Sequence, residues 1–310
     1  MKTRNEAPAS NLGALERAVD SAEARRRYAS QVRHKAGLRS EQLIDALRTV
    51  AREDFLGPPP WRITKPPTVW IPEFTSDLAQ IYDDVIVALD PERNLNNGLP
   101  SALTASIEAL DLKEGQTVLH AGTWTGYYTA LIAHCVGEVG RVVGLELDPQ
   151  LATKARENLK QFPQVEIVCA DATTYEVGKV DAILVNAGAS FPCPRWLDSL
   201  KPRGTLILPL VRWPKGSVFG SGIAGFGAMF RIDREERGFA ARFLSYFAVF
   251  PCIGALDEDA DQALVRAFDG GRLQEIRRFR RDVHDAASSC LLHGRGYCFS
   301  SAHAILRPVK

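Results

Sequence analysis

From Val118 onward the chain alternates short apolar runs with segments of helical spacing. The runs are rich in valine, leucine and isoleucine, which is typical of strands buried on both faces. They lie at 118–121, 141–146, 165–169, 180–185 and 204–210. Helical segments at 127–136, 149–160 and 194–200 lie among them. Strands connected by helices predict an α/β fold, a parallel Rossmann-like sheet with helices on both faces.

The flanking parts of the chain have different patterns. Residues 14–53 predict two helices, the second beginning near Ser40, and the proline-rich residues 58–75 predict a loop or arm. We then expect a strand at 82–89, a loop at 94–98 and a helix at 101–110. Residues 216–230 are glycine-rich and predict a hairpin, 239–250 an antiparallel strand, 257–283 a helix and 288–307 one or two strands. We therefore divide the chain into an N-terminal helical segment with a proline-rich arm (1–75), a Rossmann-like domain (76–250) and a C-terminal α+β extension (251–310).

Composition excludes several classes of partner. The chain has 310 residues, 45% of them hydrophobic, and a net charge of +1, so no overall field favours nucleic acid or a membrane surface. No apolar run reaches the ~20 residues of a membrane helix, and the N-terminus lacks the apolar stretch of a signal peptide. The six cysteines are scattered, as free thiols are. We expect a cytoplasmic protein with no nucleic-acid or membrane partner.

Three possible metal ligands lie close together near the C-terminus. Cys290, His293 and Cys298 form a Cys-x-x-His-x4-Cys pattern. No fourth ligand stands at the usual spacing, and Tyr297 and Phe299 favour a half-buried strand. We therefore expect no metal site here.

Polar groups follow the ends of three successive strands. Gly122 and Gly126 bracket the loop after the first strand, Glu146 ends the second, and Asp171 follows the third. This is the edge where an open α/β sheet binds its ligand, and a carboxylate about 20 residues past the loop can accept both ribose hydroxyls. A pyrophosphate cradle needs Gly-x-Gly-x-x-Gly, and the third glycine is missing here. A nucleoside ligand without phosphates fits better, which favours S-adenosylmethionine.

Residues from about 25 to 250 resemble the protein-L-isoaspartate O-methyltransferase family. The segment Val118-Leu-His-Ala-Gly-Thr-Trp-Thr-Gly-Tyr-Tyr-Thr-Ala is similar to the family's Val-Leu-Glu-Ile-Gly-Thr-Gly-Ser-Gly-Tyr-x-Thr-Ala. Glu146, the segment Cys169-Ala-Asp-Ala and the segment Lys201-Pro-Arg-Gly-Thr-Leu-Ile-Leu-Pro also match, as does Val50-Ala-Arg-Glu-Asp-Phe. The resemblance implies a class I methyltransferase that uses S-adenosylmethionine.

The resemblance also implies a set of cofactor contacts. Glu146 would hold the ribose, Asp171 with Ala172 the adenine, and Asn186 would face the methyl donor. The expected contacts from the loop are His120, Gly122, Thr123, Trp124, Gly126 and Tyr127.

Three positions depart from the family pattern. His120 replaces a glutamate that helps to hold the cofactor's ammonium group, and Trp124 replaces the middle glycine of the loop. The family's Gly-Gln-Thr-Ile-Ser-x-Pro substrate segment aligns with residues 94–100, which places Gly98 at the serine. Asn96 and Asn97 are either substrate contacts or turn residues. Ser101 either substitutes for the missing hydroxyl or caps a helix. Asn97 and Ser101 are our candidate catalytic residues.

We therefore expect an S-adenosylmethionine-dependent methyltransferase that O-methylates a carboxylate of a protein, a peptide or a small molecule. Methyl transfer to a carboxylate needs alignment and water exclusion more than a strong base, so these departures need not abolish it. One alternative is an enzyme for a small metabolite or a peptide natural product. A non-catalytic binding protein with the same fold is the other, because of His120 and Trp124.

Overall fold

A computed structural model describes residues 10–65, 72–213 and 225–301. Eight helices are described: α1 (Ser10–Ala36), α2 (Glu41–Thr49), α3 (Leu78–Ile81), α4 (Pro100–Glu108), α5 (Tyr127–Val136), α6 (Pro149–Asn158), α7 (Pro194–Ser199) and α8 (Glu258–Asp269). In these parts of the chain, no helix combines the length and the apolar character that a membrane crossing requires.

The strands form two sheets. The smaller sheet has the order β2-β1-β3-β4 and contains β1 (Trp61–Thr64), β2 (Glu73–Thr75), β3 (Ile86–Asp90) and β4 (Leu95–Asn96). The larger sheet has ten strands: β5 (Thr117–Ala121), β6 (Arg141–Glu146), β7 (Val165–Cys169), β8 (Val180–Val185), β9 (Leu200–Arg212), β10 (Gly225–Arg234), β11 (Phe239–Val249), β12 (Arg278–Arg280), β13 (Cys290–Gly294) and β14 (Tyr297–Ser300).

The large sheet has a parallel half and an antiparallel half. Its order is β13-β14-β12-β11-β10-β9-β8-β5-β6-β7, and pairing is parallel from β7 to β9. From β9 onward every pair is antiparallel. In the parallel half the chain order reverses between β5 and β8, so β5 and β8 flank the crevice in which such sheets bind their ligands.

Two core clusters cover the two faces of the sheet. One joins α1 and α2 to α5, whose residues are nearly all buried, and the other lies under α7 and α8. The first cluster contains residues from Ala24 to Val249, and the second contains residues from Leu119 to Phe299. Both clusters therefore draw on more than one of the three segments that we predicted, and the boundaries at 75/76 and 250/251 remain predictions.

Two of the predicted elements were wrong in part. Residues 82–85 are a turn, and the strand begins only at Ile86, because the Asp77 side chain accepts from the Ala79 amide and starts helix α3 just before it. The predicted helix 257–283 ends at Asp269, at a pair of glycines, and residues 278–280 are strand β12. Strand β12 has the sequence Arg-Phe-Arg, and its two arginines do not resemble a buried strand, although β12 lies between β11 and β14.

Residues 216–224 of the glycine-rich segment lie outside the described residues, as does Trp70 of the proline-rich arm. Gly225 begins strand β10, and Trp61 and Glu73–Thr75 form parts of the small sheet rather than a loop.

The C-terminal strands bring together the residues that we considered as metal ligands. Cys290 and His293 lie on β13 and Cys298 on β14, where His293 and Cys298 are direct cross-strand partners. His284, from the preceding loop, lies beside them. We expected no metal because the sequence showed no fourth ligand at the usual spacing, and that reason was wrong. The fourth side chain is His284, which lies six residues before Cys290, outside the spacing of common metal-binding motifs.

Candidate active site

The loop after β5 turns sharply at a position that needs glycine. Gly122 has φ +85°, and its amide donates to the Leu145 carbonyl at 2.8 Å. A Cβ at this position would stand 3.1 Å from the carbonyl oxygen of Asn186. The loop backbone can therefore lie directly against the end of β8, which leaves space in the crevice between the two strands.

Glu146 is held at the end of β6 by two backbone donors. Its Oε2 accepts from the Trp124 amide at 2.7 Å, and its Oε1 accepts from the Asp148 amide at 3.1 Å. Burial raises the pKa of Glu146 above its ordinary value of 4.5, while these amide hydrogen bonds lower it. The carboxylate lines a cavity with both oxygens fixed, so it can accept hydrogen bonds from the hydroxyls of a bound ligand.

Asp171, Ala172 and Asn186 line the same cavity. The Asp171 carboxylate accepts from the Thr173 amide and hydroxyl, both at 2.8 Å, and this fixes its orientation. Asn186 is almost fully buried; its backbone amide donates to the Ala121 carbonyl at 2.8 Å, and its side-chain Nδ2 donates to the Gly122 carbonyl at 3.4 Å. The structure thus places three of the predicted polar residues, Glu146, Asp171 and Asn186, around one crevice.

A segment after β11 covers this crevice. Residues Phe250–Ile253 line the cavity, and two hydrogen bonds with Gly188, at 2.7 and 2.8 Å, hold the segment in place. The ring of Phe250 packs edge-on against Trp124, with centroids 5.5 Å apart. We call residues 250–255 the cover segment. Its residues follow the end of a strand and contain no recognisable motif, so their role could not be predicted from the amino-acid sequence.

The cavity encloses about 70 Å³. Pockets for small molecules usually measure about 300–1,000 Å³. The polar groups fit an adenosine-like ligand, but a ligand of that size needs more room than this cavity has, and the Trp124–Phe250 contact is part of its lining. The lining also contains Gly122 and seven residues that were not predicted: Leu95, Ala121, Leu145, Leu147, Leu151, Ala170 and Ala187.

Four of the expected cofactor contacts do not line the cavity. The side chain of Tyr127 lies in the core, edge-on to Phe55. A Cβ on Gly126 would stand 2.7 Å from Leu159, so this glycine permits close packing of α6. Thr123 is buried over β6, where its Cγ2 would lie 2.6 Å from a Cβ on Gly144.

His120 is the fourth expected cofactor contact that does not line the cavity. It is fully buried, and its Nδ1 lies 2.9 Å from the Thr129 hydroxyl of α5. Burial lowers the pKa of His120 to about 3, so the imidazole is neutral near pH 7. It cannot offer the charge that a carboxylate would provide at this position.

The two candidate catalytic residues also lie outside the cavity lining. Ser101 is in the first turn of α4, and both its amide and its hydroxyl donate to the buried Asp84 carboxylate at 2.8 Å. Leu99, not Ser101, is the N-cap of this helix. The Asn97 side chain accepts from the Val87 amide at 2.8 Å and is buried against β3. In this structure both side chains hold the segment around residues 94–101 in place.

A larger cavity of about 790 Å³ lies between α2 and α4, lined by Arg39, Glu108, Lys113 and Arg231 among others. Residues 111–113 precede β5, so this cavity is at the amino end of the parallel strands. Ligands of such sheets bind at the carboxyl end, and we therefore assign the chemistry to the smaller cavity.

Comparison with known proteins identifies the family. A family model described as protein-L-isoaspartate(D-aspartate) O-methyltransferase matches residues 70–217. Protein-L-isoaspartate O-methyltransferase 2 of Archaeoglobus fulgidus is 32% identical over 203 residues, which are 63% of this chain and 83% of that protein. The chain belongs to the protein-L-isoaspartate O-methyltransferase family. This confirms the predicted family, an enzyme that transfers methyl groups from S-adenosylmethionine.

Other members agree with this placement. The Methanococcus aeolicus protein-L-isoaspartate O-methyltransferase is 36% identical over 181 residues, 56% of this chain and 73% of that protein. A solved structure titled protein-L-isoaspartate O-methyltransferase superposes with a TM-score of 0.58 at 22% identity, covering 83% of this methyltransferase and 72% of that chain. A Plasmodium falciparum structure in complex with S-adenosyl-L-homocysteine gives 0.55 at 17% identity, covering 73% and 97%. The predicted fold class is confirmed.

Proposed function

We propose that this methyltransferase esterifies the free carboxylate of isoaspartyl residues in proteins or peptides. The observation that carries the proposal is the 32% identity over four fifths of an archaeal protein-L-isoaspartate O-methyltransferase. The polar groups of the cavity support it, because they suit the nucleoside part of the cofactor and leave the methyl acceptor to approach from outside.

In this proposal each polar residue of the cavity binds a different part of the cofactor. Glu146 accepts hydrogen bonds from the ribose, Asp171 accepts from the adenine amine beside Ala172, and Asn186 lies toward the methyl donor. The backbone around Gly122 provides the close approach. The cofactor supplies a methyl group on a sulfonium, which an acceptor carboxylate attacks directly, so the protein supplies alignment and a dry surface rather than a base.

The cover segment supports the exclusion of water. Phe250 and Trp124 lie over the crevice, and both side chains line the cavity. Opening this contact would admit the cofactor, and its return would shield the sulfonium from water. Trp124 thus takes a role that the family's glycine at this position cannot take.

The test is methyl transfer to a synthetic isoaspartyl peptide, with a peptide of the same sequence containing ordinary aspartate as the control. Mass spectrometry should detect a methyl ester, or the succinimide that it forms, only on the isoaspartyl peptide. The Ser101→Ala variant should keep this activity, since its hydroxyl is occupied by Asp84. No ester on the isoaspartyl peptide, with S-adenosylhomocysteine binding intact, would contradict the proposal for the acceptor.

One observation favours a second acceptor class. The segment that aligns with the family's substrate motif has Gly98 at the serine, with φ +74°. Its two asparagine side chains are engaged by backbone amides: Asn96 accepts from Gly98 within the segment, and Asn97 accepts from Val87 of β3. An enzyme for a small metabolite or a peptide natural product would tolerate this change. S-adenosylhomocysteine production from a panel of carboxylic acids, with none from the isoaspartyl peptide, would favour this alternative.

We also propose that the enzyme acts in the cytoplasm, without a nucleic-acid or membrane partner. The arginines near the C-terminus, which could form a basic face, are paired with acidic groups or carbonyls. Arg278 pairs with Glu235, Arg280 with Asp282 and Arg281 with Asp198. Little cationic surface remains there for phosphates.

A further inference from the structure

Four side chains near the C-terminus converge far from the methyl-transfer cavity. They are His284, Cys290, His293 and Cys298, and their ligand atoms all lie within 4.8 Å of one another. Two come from β13, one from β14 and one from the loop 281–289. None of the four lines the cavity that holds Glu146 and Asp171.

The distances approach those of a tetrahedral metal centre. Zinc–sulfur and zinc–nitrogen bonds of about 2.3 and 2.0 Å place ligand atoms roughly 3.3–3.8 Å apart. Cys290 Sγ lies 3.5 Å from His284 Nε2, which is already within this range. The other pairs need only a small contraction, and three of the four residues lie on two hydrogen-bonded strands that hold them in register.

The surroundings of the cluster suit metal ligands. His284 Nδ1 lies 2.9 Å from the Asp282 carbonyl, which fixes the tautomer that leaves Nε2 free to coordinate. The Ala287 amide donates to Cys290 Sγ at 3.4 Å, a hydrogen bond that stabilises a thiolate. His293 Nδ1 is buried and has no hydrogen-bond partner among residues 10–65, 72–213 and 225–301.

We propose that these four residues bind one zinc ion, which fastens the C-terminal strands to the end of the sheet. Two thiolates and two imidazoles favour zinc among the common divalent ions. Because four protein ligands fill a tetrahedral site, no position is open for a substrate, and the site is structural. The metal would stabilise this part of the sheet, because strands β12, β13 and β14 contain only three to five residues each and form few hydrogen bonds.

The metal would also hold the loop 281–289. This loop carries Arg281, whose ion pair with Asp198 joins it to α7, and Val283, which is 98% exposed. Without the metal, His284 would contact, among the described residues, only the backbone and carboxylate of the neighbouring Asp282, the Cys290 thiol and the edge of the His293 ring. Loss of zinc should therefore release the loop and expose Arg280 and Arg281 to trypsin.

The first test is the metal content of the full chain, purified without a polyhistidine tag after growth with added zinc. Elemental mass spectrometry should find about one zinc per chain. His284→Gln changes a surface loop and should fold, yet it should lower the zinc content at least tenfold, as should Cys298→Ser. Cys169→Ser, which changes an exposed thiol at the opposite edge of the sheet, should keep the full content.

The second test replaces zinc by cobalt. The wild-type protein should show the visible absorption of tetrahedral cobalt together with thiolate charge-transfer bands, and His284→Gln should lose the tetrahedral spectrum. Chelation should speed tryptic cleavage after Arg281 while Cys169→Ser behaves as the wild type. Less than about a tenth of an equivalent of zinc with no cobalt spectrum, full zinc in His284→Gln, or a Cys290–Cys298 disulfide in the purified protein would each overturn the proposal.

Discussion

Glu146 meets two requirements that oppose each other. Burial raises its pKa, which favours the neutral acid, but a neutral acid accepts hydrogen bonds less well than a carboxylate. Hydroxyl donors from a bound ligand favour the ionised form. Affinity for the cofactor should therefore be present above the pKa of Glu146 and be lost as the pH falls through it.

Glu146→Gln tests this role. The amide cannot accept from two ribose hydroxyls, so calorimetry with S-adenosylhomocysteine should show a loss of about 2 kcal/mol, or roughly thirtyfold in Kd. The acid-side decline in affinity should disappear in the same variant. Glu166→Gln, on the exposed edge of β7, should bind as the wild type does. Equal affinity in both variants would exclude Glu146 as a ribose ligand.

His120 makes stability depend on pH. The unfolded chain protonates this histidine near pH 6.5, whereas in the folded protein its pKa is about 3. The unfolded state therefore binds more protons between these values, and the free energy of unfolding decreases as the pH falls below 6.5. Between pH 7 and pH 5 the expected loss is about 2 kcal/mol.

Urea unfolding at both pH values measures this loss. His120→Asn keeps a polar atom near Thr129 but does not titrate, so its unfolding free energy should change by about 2 kcal/mol less than that of the wild type. His34→Asn, at an exposed site on α1, serves as the control and should keep the wild-type difference. The same pH dependence in His120→Asn would mean that other groups cause it.

At the scale of elements, the cover segment fits against Asp171 only because residue 254 is a glycine. A Cβ on Gly254 would stand 2.2 Å from Thr173 Oγ1 and 2.7 Å from Asp171 Oδ2. Gly254→Ala should displace both the segment and the carboxylate, and weaken S-adenosylhomocysteine binding about tenfold or more.

Gly270→Ala provides the matched comparison, since its Cβ would make only ordinary contacts at 3.4 and 3.5 Å. Thermal melting without ligand should verify that both variants fold. If Gly254→Ala bound the ligand as tightly as Gly270→Ala, the contact with Asp171 would have no part in recognition.

Elements with strong periodicity were predictable, and those set by long-range contacts were not. The bounds of α5, β6, β7 and β8 agree with the sequence pattern to the residue. Strand β12 depends on pairing with β11 and β14, and no local pattern in its three residues reveals that. At the cavity, Glu146 and Asp171 follow strand ends and could be found, whereas Phe250 reaches the cavity only through the path of the chain after β11.

At the scale of the whole molecule, Arg52 connects the N-terminal helices to the segment between strands β2 and β3 of the small sheet. It is fully buried, and its guanidinium donates to the carbonyls of Ile81, Asp83 and Val85, the last two at 3.1 and 2.7 Å. Its charge also lies 5.6 Å from the centre of the Tyr28 ring. One side chain thus donates to three backbone carbonyls, of which that of Asp83 also accepts from the Val85 amide at 2.8 Å.

Arg52→Ala should lower the free energy of unfolding by roughly 3 kcal/mol, because those carbonyls would lose a charged donor inside the core. Arg52→Lys should recover only part of this, since a single ammonium cannot span the three acceptors. Arg48→Ala, four residues earlier and exposed, should stay within about 0.5 kcal/mol of the wild type in chemical denaturation. A loss below 1 kcal/mol in Arg52→Ala would show that water replaces the guanidinium.

Strand β9 joins the parallel and antiparallel halves of the large sheet. One of its edges pairs with β8 in parallel orientation, and the other pairs with β10 in antiparallel orientation. Its central residues, including Leu206, Ile207 and Leu208, have no exposed surface. Their amide hydrogens therefore reach solvent only when the two halves of the sheet come apart together. In native-state hydrogen exchange, β9 would report the opening of the whole molecule, and any amide that exchanges faster belongs to a part that can open alone.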